Sequence, residues 1–315
     1  MLGRRAALLA QARAFFAARG ILEVDTPLVV QAAVTDVHIE SASVRLDPRS
    51  AAPSHYLHTS PEYAMKRLLA AGSGDIFQIC HVVRCDERSR HHNPEFTLIE
   101  WYRIGFTLQE LMSEVDALVR ALLGSRAPQS ASERLSYREA FGRELGLDPF
   151  TAELDELSAA AATLGYTSRN EPSAPAQRDA LLDLLMAARV GPALGRAGLT
   201  FVHGYPASQA ALARLDPRDP RTALRFELYG DGLELANGFH ELISAEEQRQ
   251  RFAHDLGERR RRGLPQPQVD ERLLGALEAG VPDCAGVALG FDRLMMLATG
   301  ASHIDEVLAF AAERA

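Results

Sequence analysis

Apolar residues near the start of the chain recur at the spacing of an amphipathic helix: Leu8, Leu9, Ala12, Phe15 and Phe16. Side chains three and four positions apart lie on one face of an α-helix, so this pattern predicts a helix with one buried face. Gly20 is a typical helix stop. Because Arg13 and Arg19 interrupt the apolar run, we interpret the segment as a helix and not as a targeting signal.

Two later runs alternate with the period of two that is typical of β-strands, namely DIFQICHVVR (75–84) and EFTLIEWYR (95–103). The polar segment 85–94 separates them. The pattern therefore predicts a hairpin with a long polar loop.

The second of these strands has an unusual face. Alternation puts Phe96, Leu98, Glu100 and Tyr102 on one side and Trp101 on the other. A buried carboxylate is costly unless it is paired, so the face with Glu100 is typical of a cation site or of a catalytic surface. We expect Trp101 to belong to the core.

Several helix starts are predicted by capping residues. Ser60 is a candidate N-cap with Pro61 at the first helical position. Ser244 and Glu247 have the spacing of a capping box. Asp292 is the predicted N-cap of a helix that follows the apolar run GVALG.

The remaining pattern sets the fold class. Residues 106–200 are rich in Ala and Leu and mostly helical in pattern, with a break at RNEPSAPAQ, and LRFELYGDGLELANGF predicts two strands around a Gly-Asp-Gly turn. Strands cluster at both ends of the chain with helices between them. We therefore expect an antiparallel-dominated α+β fold with a central sheet flanked by helices, in a single domain over residues 1–315.

Composition narrows the class of protein. The 315 residues are 47% hydrophobic and 24% charged, which is ordinary for a folded globular chain. The net charge of −8 gives no overall attraction to nucleic acid, and no run approaches the roughly 20 apolar residues of a membrane span. Three cysteines without a C-x-x-C pattern favour a reducing compartment, so we expect a cytoplasmic protein that does not associate with membranes.

Common catalytic motifs are absent from the sequence, which lacks a P-loop, a dinucleotide-binding G-x-G-x-x-G after a strand, and a G-x-S-x-G nucleophile elbow. His91 and His92 are adjacent and would point apart in an extended loop, which argues against a transition-metal site. A solvated basic loop is the simpler interpretation of segment 85–94. The carboxylate face of the next strand argues against it.

Two further segments suit phosphate chemistry. Glu234 and Glu241 bracket Asn237 and a glycine, and carboxylates that converge across a chain reversal suit Mg²⁺ shared with phosphate oxygens. In GFDR, Gly290 permits close approach of a ligand and Arg293 opens a helix whose N-terminus favours anions. A surface turn and an ordinary helix start are the alternative interpretations of these segments.

Taken in order, these segments resemble the three motifs of class II aminoacyl-tRNA synthetases. GILEVDTP resembles motif 1 (about 4–30), VVRCDERSRHHNPEF resembles motif 2 (about 75–103), and GVALGFDRL resembles motif 3 (about 286–299). The strings SPEYAMKRLL, RHHNPEFTLIEWY and ELANGFHEL are similar to the lysyl branch. The resemblance implies the class II catalytic fold, ATP and Mg²⁺, and a homodimer with twofold symmetry.

Departures from the lysyl branch are similar to one of its paralogue families. The motif 1 helix begins almost at Met1, so we expect no anticodon-binding domain and no tRNA substrate. Ala236 and Ala288 stand where lysyl-tRNA synthetases typically have glycine, and a methyl at either position would reshape the floor of an amino-acid pocket. With PASQAALA, these features resemble the free-standing ligases that attach (R)-β-lysine to elongation factor P. A truncated lysyl-tRNA synthetase that activates α-lysine is the alternative.

The resemblance also implies roles in ATP binding. Arg84 would bridge the substrate carboxylate and the α-phosphate, and Arg84 and Arg293 would be the catalytic residues. Either Asp86 or Glu87 would contact adenine, with Asp86 favoured, and Cys85 would fill the loop. The other implied ATP-binding residues are His92, Asn93, Phe96 (stacked on adenine), Glu234, Leu235 and Gly290.

For the amino acid, the resemblance implies an ammonium pocket. Glu100 and Tyr102 would receive an ammonium group, and Glu241 would also ligate Mg²⁺ together with Glu234. The other implied substrate-binding residues are Ser60, Pro61, Glu62, Ala236, Asn237 and Ala288.

Overall fold

A computed structural model describes residues 1–49, 55–166 and 174–315 of the chain. Its contacts divide the chain into two compact units, Met1–Arg126 with Glu241–Ala315, and Ala127–His240. The α-helices are α1 (Leu2–Ala17), α2 (Glu62–Ala70), α3 (Leu108–Leu123), α4 (Tyr137–Leu145), α5 (Leu154–Thr163), α6 (Ala174–Leu185), α7 (Gly191–Ala193), α8 (Ala245–Arg261), α9 (Glu271–Gly280) and α10 (Phe291–Thr299). The strands are β1 (Leu22–Glu23), β2 (Val29–Val30), β3 (Ser43–Val44), β4 (His55–Leu57), β5 (Ile76–Val83), β6 (Glu95–Ile104), β7 (Glu133–Ser136), β8 (Leu199–Pro206), β9 (Leu215–Asp216), β10 (Asp219–Gly230), β11 (Leu233–His240) and β12 (Cys284–Gly290).

The first unit is built on strands in the order β1–β5–β6–β12, with β1 parallel to β5 and the other pairs antiparallel. A separate small sheet has the order β2–β4–β3. The predicted hairpin is confirmed, because β5 pairs with β6 along the whole length of β5 and segment 85–94 connects them. This hairpin and β12 position most of the candidate site residues.

The N-terminal helix packs on one face of this sheet, as its pattern predicts. Leu8, Ala12 and Phe16 are buried. The ring centroid of Phe16 lies 4.3 Å from that of Phe77 and 5.2 Å from that of Trp101. Trp101 is fully buried, which confirms that it belongs to the core. The carboxylate face of β6 is therefore the opposite face of the sheet.

Asp292 does not cap α10, so that prediction was wrong. The N-cap is Gly290, and Asp292 lies inside the first turn with 1% of its surface exposed. One carboxylate oxygen accepts a hydrogen bond from the backbone N–H of Thr97 at 2.6 Å, and the other pairs with Arg5. Because a buried carboxylate needs such partners, it binds the motif 3 helix to strand β6 and to helix α1.

The second unit has strands in the order β11–β10–β8–β7, with β9 beside β10. The predicted hairpin of β10 and β11 is confirmed. Its turn residues Asp231 (φ +51°) and Gly232 (φ +74°) both have positive φ, as a tight two-residue turn requires. A hydrophobic cluster that includes Tyr137, Phe141 and Leu182 holds the helices against these strands.

The helical expectation for residues 106–200 was right for α3 to α7 but missed strand β7, a short segment that pairs in parallel with β8. The predicted break at RNEPSAPAQ begins within residues 167–173, which lie outside the described residues. Among the described residues, most strand pairs are antiparallel, so the predicted α+β class is confirmed. In the ranges that the structure covers, no helix combines the length and hydropathy that a membrane crossing requires.

Candidate active site

Glu100 is the centre of a buried polar cluster on the sheet face opposite Trp101. It is 2% exposed. Its two carboxylate oxygens accept hydrogen bonds from the hydroxyl of Ser60 at 2.7 Å and from the phenol of Tyr102 at 2.8 Å. The predicted pairing of Glu100 with Tyr102 is thus present, and the structure adds Ser60 from the start of α2.

The environment of Glu100 disfavours its ionised form. Burial, followed by the nearby Glu62 carboxylate, raises the pKa of Glu100 to about 8, and Glu241 adds to this effect. The hydrogen bonds from Ser60 and Tyr102 oppose the shift without cancelling it. The folded protein therefore favours the protonated form of Glu100 more than solvent does, and a bound cation would favour ionisation.

Lys66 completes this cluster, and sequence reasoning missed it. Its ammonium group lies 2.7 Å from Glu62 and 2.6 Å from Glu241, and its side chain is 1% exposed. Burial disfavours its charge, yet the carboxylates of Glu241 and Glu62 raise its pKa above the ordinary value. The i,i+4 spacing from Glu62 was the available signal, although the contact with Glu241 is not evident from sequence.

The cluster contains more acid than base. Glu62, Glu100 and Glu241 supply three carboxyl groups and Lys66 supplies one fixed positive charge. A buried excess of negative charge is costly unless a cation enters. The arrangement is therefore suited to a ligand that carries one or two ammonium groups.

The N-cap of α2 differs by one residue from the prediction. The helix begins at Glu62 with Pro61 as its boundary residue, and Pro61 is buried. The hydroxyl of Ser60 still accepts a hydrogen bond from the backbone N–H of Glu62 at 3.1 Å. Because the same hydroxyl donates to Glu100, this turn links the carboxylate of Glu100 to the first residue of α2.

Strand β12 lies beside β6 and contributes residues to the same sheet face as the cluster. Ala288 is paired with Glu100 and Gly286 with Tyr102, so both lie on the same sheet face as the acids. A Cβ at Gly286 would lie 2.3 Å from the ring of Tyr102 and 2.5 Å from an oxygen of Glu241. The pocket therefore requires a residue without a Cβ at position 286. Sequence reasoning did not single out Gly286.

Gly286→Ala should weaken amino-acid binding, because the new methyl group must displace Tyr102 and Glu241. We expect KM for the amino acid to rise at least about tenfold, because a small displacement of the binding side chains is costly. KM for ATP should change little. Overpacking should also lower the free energy of unfolding by about 1–3 kcal/mol. Steady-state kinetics and urea denaturation measure the two effects. Gly275→Ala in α9, where nothing lies within 4 Å of the added methyl, is the matched control; similar kinetics for both variants would contradict this account.

Arg84 lies at the edge of the cluster. Its Nε donates to the carbonyl of Thr59 at 3.3 Å, one residue before Ser60. Its guanidinium also lies 3.6 Å from Glu87 and 5.2 Å from the ring centroid of Phe96. Arg84, whose guanidinium is suited to bidentate binding of carboxylate or phosphate, thus lies beside the ammonium pocket and contacts the residue that precedes Ser60.

The start of the motif 2 loop is held by the main chain. Cys85 donates its backbone N–H to the carbonyl of Glu40 at 2.9 Å, and burial raises the pKa of its thiol, which does not suit a nucleophile. Asp86 has a positive φ of 62° and is exposed. Glu87 is partly buried beside Arg84. Which of the two acids meets adenine stays a prediction.

His92 orients Arg293. Burial, and then the charge of Arg293, lower the pKa of His92 to about 4, so the ring is neutral at pH 7. A guanidinium can only donate, so Nε2 of His92 accepts from Arg293, and its Nδ1–H donates to the hydroxyl of Ser89 at 2.7 Å. The structure brings these two predicted ATP-binding residues into contact, with the positive charge on Arg293 and not on His92.

Asn93 uses its side-chain amide on the protein itself. The NH₂ group donates to the carbonyl of Glu95 at 2.7 Å, and the oxygen accepts from the backbone N–H of Ala312 at 3.1 Å. The residue is 4% exposed. Asn93 therefore shapes the loop, and its contact with ATP stays a prediction.

The C-terminal segment anchors the motif 2 loop, which sequence reasoning also missed. Arg88 makes two hydrogen bonds of 3.0 Å to Asp305 and two of 2.5 and 2.8 Å to Glu313. The backbone N–H of Ile304 donates to the carbonyl of Arg90 at 2.9 Å. These contacts are about 200 residues apart in sequence, so no local pattern reveals them.

Four predicted residues belong to the second unit. Glu234, Leu235, Ala236 and Asn237 follow one another on β11, with Leu235 and Ala236 buried. The side-chain oxygen of Asn237 accepts a hydrogen bond from Nε of Arg225 at 3.2 Å.

Arg225 belongs to a buried network that the sequence did not reveal. Its guanidinium pairs with Glu227, which also accepts hydrogen bonds of 2.6 Å from the phenols of Tyr205 and Tyr229. Burial opposes the charge of Arg225, but the Glu227 carboxylate raises its pKa above the ordinary value. The network rigidifies the strand that precedes β11.

Within the described residues, no group of three or more His, Cys, Asp or Glu side chains is placed to hold a metal ion. Mg²⁺ commonly takes only one or two carboxylates and fills its other positions with phosphate oxygens and water. The oxygen chemistry of Glu241 fits that mode of binding.

Comparison with known proteins identifies close relatives. The family model of class II tRNA synthetases (D, K and N) matches residues 1–314. Curated proteins named elongation factor P--(R)-beta-lysine ligase from Salmonella dublin, Salmonella paratyphi B and Salmonella heidelberg are each 49% identical over 318 aligned residues. The alignments cover 99% of this chain and 95% of each relative.

Proposed function

Because this chain belongs to the class II tRNA synthetases (D, K and N), we propose that it is an ATP-dependent ligase that activates (R)-β-lysine and transfers it to a lysine side chain of elongation factor P. The printed names of the relatives, at 49% identity over 99% of the chain, support this substrate and this acceptor. The observation that carries the proposal is the buried acid-rich cluster around Glu100. Arg84 lies beside it, because Arg84 binds the carbonyl of Thr59 and the next residue, Ser60, binds Glu100.

The first step joins the amino acid to AMP. An oxygen of the substrate carboxylate forms a bond to the α-phosphorus of ATP, and the bond from that phosphorus to the bridging oxygen of the departing pyrophosphate breaks. The carboxylate is already ionised at neutral pH, so the step needs no general base. Positioning and charge neutralisation supply the catalysis.

The described residues suit these tasks. Arg84 binds the substrate carboxylate and the α-phosphate, and Arg293, oriented by His92, binds the phosphate tail. Glu100 receives an ammonium group that Tyr102 and Ser60 help to position. Phe96, beside the guanidinium of Arg84, stacks on adenine.

Mg²⁺ would neutralise charge on the ATP phosphates when it is bound. Glu241 would hold it with one carboxylate oxygen while Lys66 stays paired with the same group. The role predicted for Glu234, which belongs to the other unit, stays a prediction, as do those of Leu235, Ala236 and Asn237.

In the second step, the acceptor amine forms a bond to the acyl carbon and AMP leaves with the electron pair of the broken C–O bond. As the amide forms, the nitrogen releases one proton to solvent or to a phosphate oxygen, and before attack the acceptor ammonium must lose another proton to become a nucleophilic amine. Desolvation on entering the site lowers the pKa of an ammonium and so favours that loss. The product is an amide on the acceptor lysine.

We further propose that residues 1–315 act as one catalytic domain in a cytoplasmic homodimer. The match of one family model over residues 1–314 supports a single domain. Size-exclusion chromatography with light scattering measures the assembly, and a monomer at the concentrations used for activity would refute the dimer.

The proposed activity is tested by ATP–pyrophosphate exchange with (R)-β-lysine and α-lysine, followed by transfer of labelled amino acid. We expect faster exchange with (R)-β-lysine and label on elongation factor P but not on tRNA. Efficient charging of tRNA with α-lysine and no label on the factor would favour a lysyl-tRNA synthetase-like enzyme instead. Exchange that is absent with every lysine isomer would indicate a binding protein without ligase activity.

A further inference from the structure

The side chain of Gln78 is buried without the partners that an amide needs. It is 2% exposed, and neither its nitrogen nor its oxygen has a hydrogen-bond partner of normal geometry. The thiol of Cys80, two residues along the strand, interacts with it, but a thiol is only a weak hydrogen-bonding group. Buried amides are nearly always satisfied, so an orphaned one indicates a function.

Strand register places Gln78 in the ammonium pocket. Gln78 is directly paired with Glu100 across β5 and β6, and Ala288 is paired with Glu100 across β6 and β12. Paired residues project to the same sheet face with Cβ atoms about 4.5–5.5 Å apart. The three side chains therefore form one row across the floor of the pocket.

The charge of the pocket decides which end of the amide a ligand meets. The cluster of Glu62, Glu100, Glu241 and Lys66 has an excess of acid and is suited to a cation. A cation attracts the carbonyl oxygen of an amide and repels its NH₂ group. A glutamine adds an acceptor without adding another negative charge to the cluster.

We propose that Gln78 is a substrate-binding residue whose side-chain oxygen accepts a hydrogen bond from the ammonium group that Glu100 receives. This inference rests on the proposed function, because it concerns the amino-acid substrate of the same site. An ammonium has three N–H donors, and Glu100 alone does not satisfy them. Gln78 thus contributes to the preference for charged over neutral side chains.

Gln78→Met, which keeps the length of the side chain and removes its polar atoms, tests the inference. We expect KM for the amino acid to rise about tenfold, which corresponds to about 1.4 kcal/mol, with KM for ATP unchanged. The urea midpoint without substrate should stay equal or rise, because an unsatisfied amide is removed from the interior. A purely structural role would instead lower the midpoint and leave KM unchanged.

Two controls make the result decisive. Ile79→Met alters the opposite face of the same strand and should leave KM for the amino acid unchanged. If Gln78→Met does not fold, Gln78→Asn shortens the same amide and should raise KM in the same way. Wild-type protein that binds no lysine isomer in calorimetry would refute the proposed function, whereas wild-type binding that neither Gln78 variant weakens would refute the role of Gln78 alone.

Discussion

Lys66→Met should lower the free energy of unfolding by about 3–5 kcal/mol, because removal of one partner of a buried ion pair leaves uncompensated charge. Glu62 and Glu241 would both lose the cation that lies within 2.7 Å of each. Urea denaturation at neutral pH measures the loss. Amino-acid binding should weaken as well, since both carboxylates lose their fixed positions.

The matched control for Lys66 is an exposed ion pair. Arg143 lies 2.9 Å from Glu133, with about 40% of its side chain exposed. Arg143→Met should cost less than about 1 kcal/mol, because solvent screens such pairs. Equal losses in the two variants would contradict the view that Lys66 is a buried counter-charge.

Lys66→Arg should restore only part of the stability. Arginine keeps the charge but carries a planar fork of five donors in place of a compact ammonium. Lys66 is the single lysine among the 34 lysine and arginine residues of the sequence. A narrow space between two carboxylates is a physical reason for lysine at this position.

Glu100→Gln should raise KM for the amino acid about a hundredfold and change KM for ATP little. Loss of one partner of a buried charge pair with the substrate ammonium costs about 3 kcal/mol. Steady-state kinetics with each substrate varied in turn measures the split. A similar rise in both KM values would place the ammonium pocket elsewhere.

The control for Glu100 is Glu114, a mostly buried carboxylate on the opposite side of the same sheet. It accepts a hydrogen bond from the indole N–H of Trp101 at 3.1 Å and pairs with Arg103. Glu114→Gln should affect stability and leave both KM values near those of the wild type.

The pKa of Glu100 sets the direction of the pH dependence. The pKa of Glu100 is about 8 in the folded protein, against an ordinary value of 4.5. Between pH 4.5 and 8, the folded protein therefore keeps a proton on Glu100 that the unfolded chain has released. Stability from this group is therefore present at low pH and declines as pH rises through this window.

Binding of an ammonium needs the ionised form of Glu100, so kcat/KM for the amino acid should rise up to about pH 8. Both trends should be weaker in Glu100→Gln, and an unchanged kcat/KM profile in that variant would assign the titration to another group.

Local signals in the sequence were enough for most of the secondary structure around the site. The alternation in EFTLIEWYR predicted the two faces of β6, and the contacts of Trp101 with Phe16 on one face and of Glu100 with Ser60 on the other confirm it. The Gly-Asp-Gly turn predicted the β10–β11 hairpin because few residues adopt positive φ. Asp292 shows the limit of such signals, because its N-cap pattern was overridden by Thr97 and Arg5.

The sequence by itself determined the family, the fold class and the residue types available for binding ATP and an ammonium group, because these follow from local order and short motifs. Only the tertiary structure decided how their charges combine. Lys66 meets Glu241 and Gln78 is paired with Glu100 through the packing of separate elements, and Gly286, which has no Cβ, leaves room for Tyr102 and Glu241. Burial and pairing depend on distances across the fold, which one-dimensional spacing does not contain.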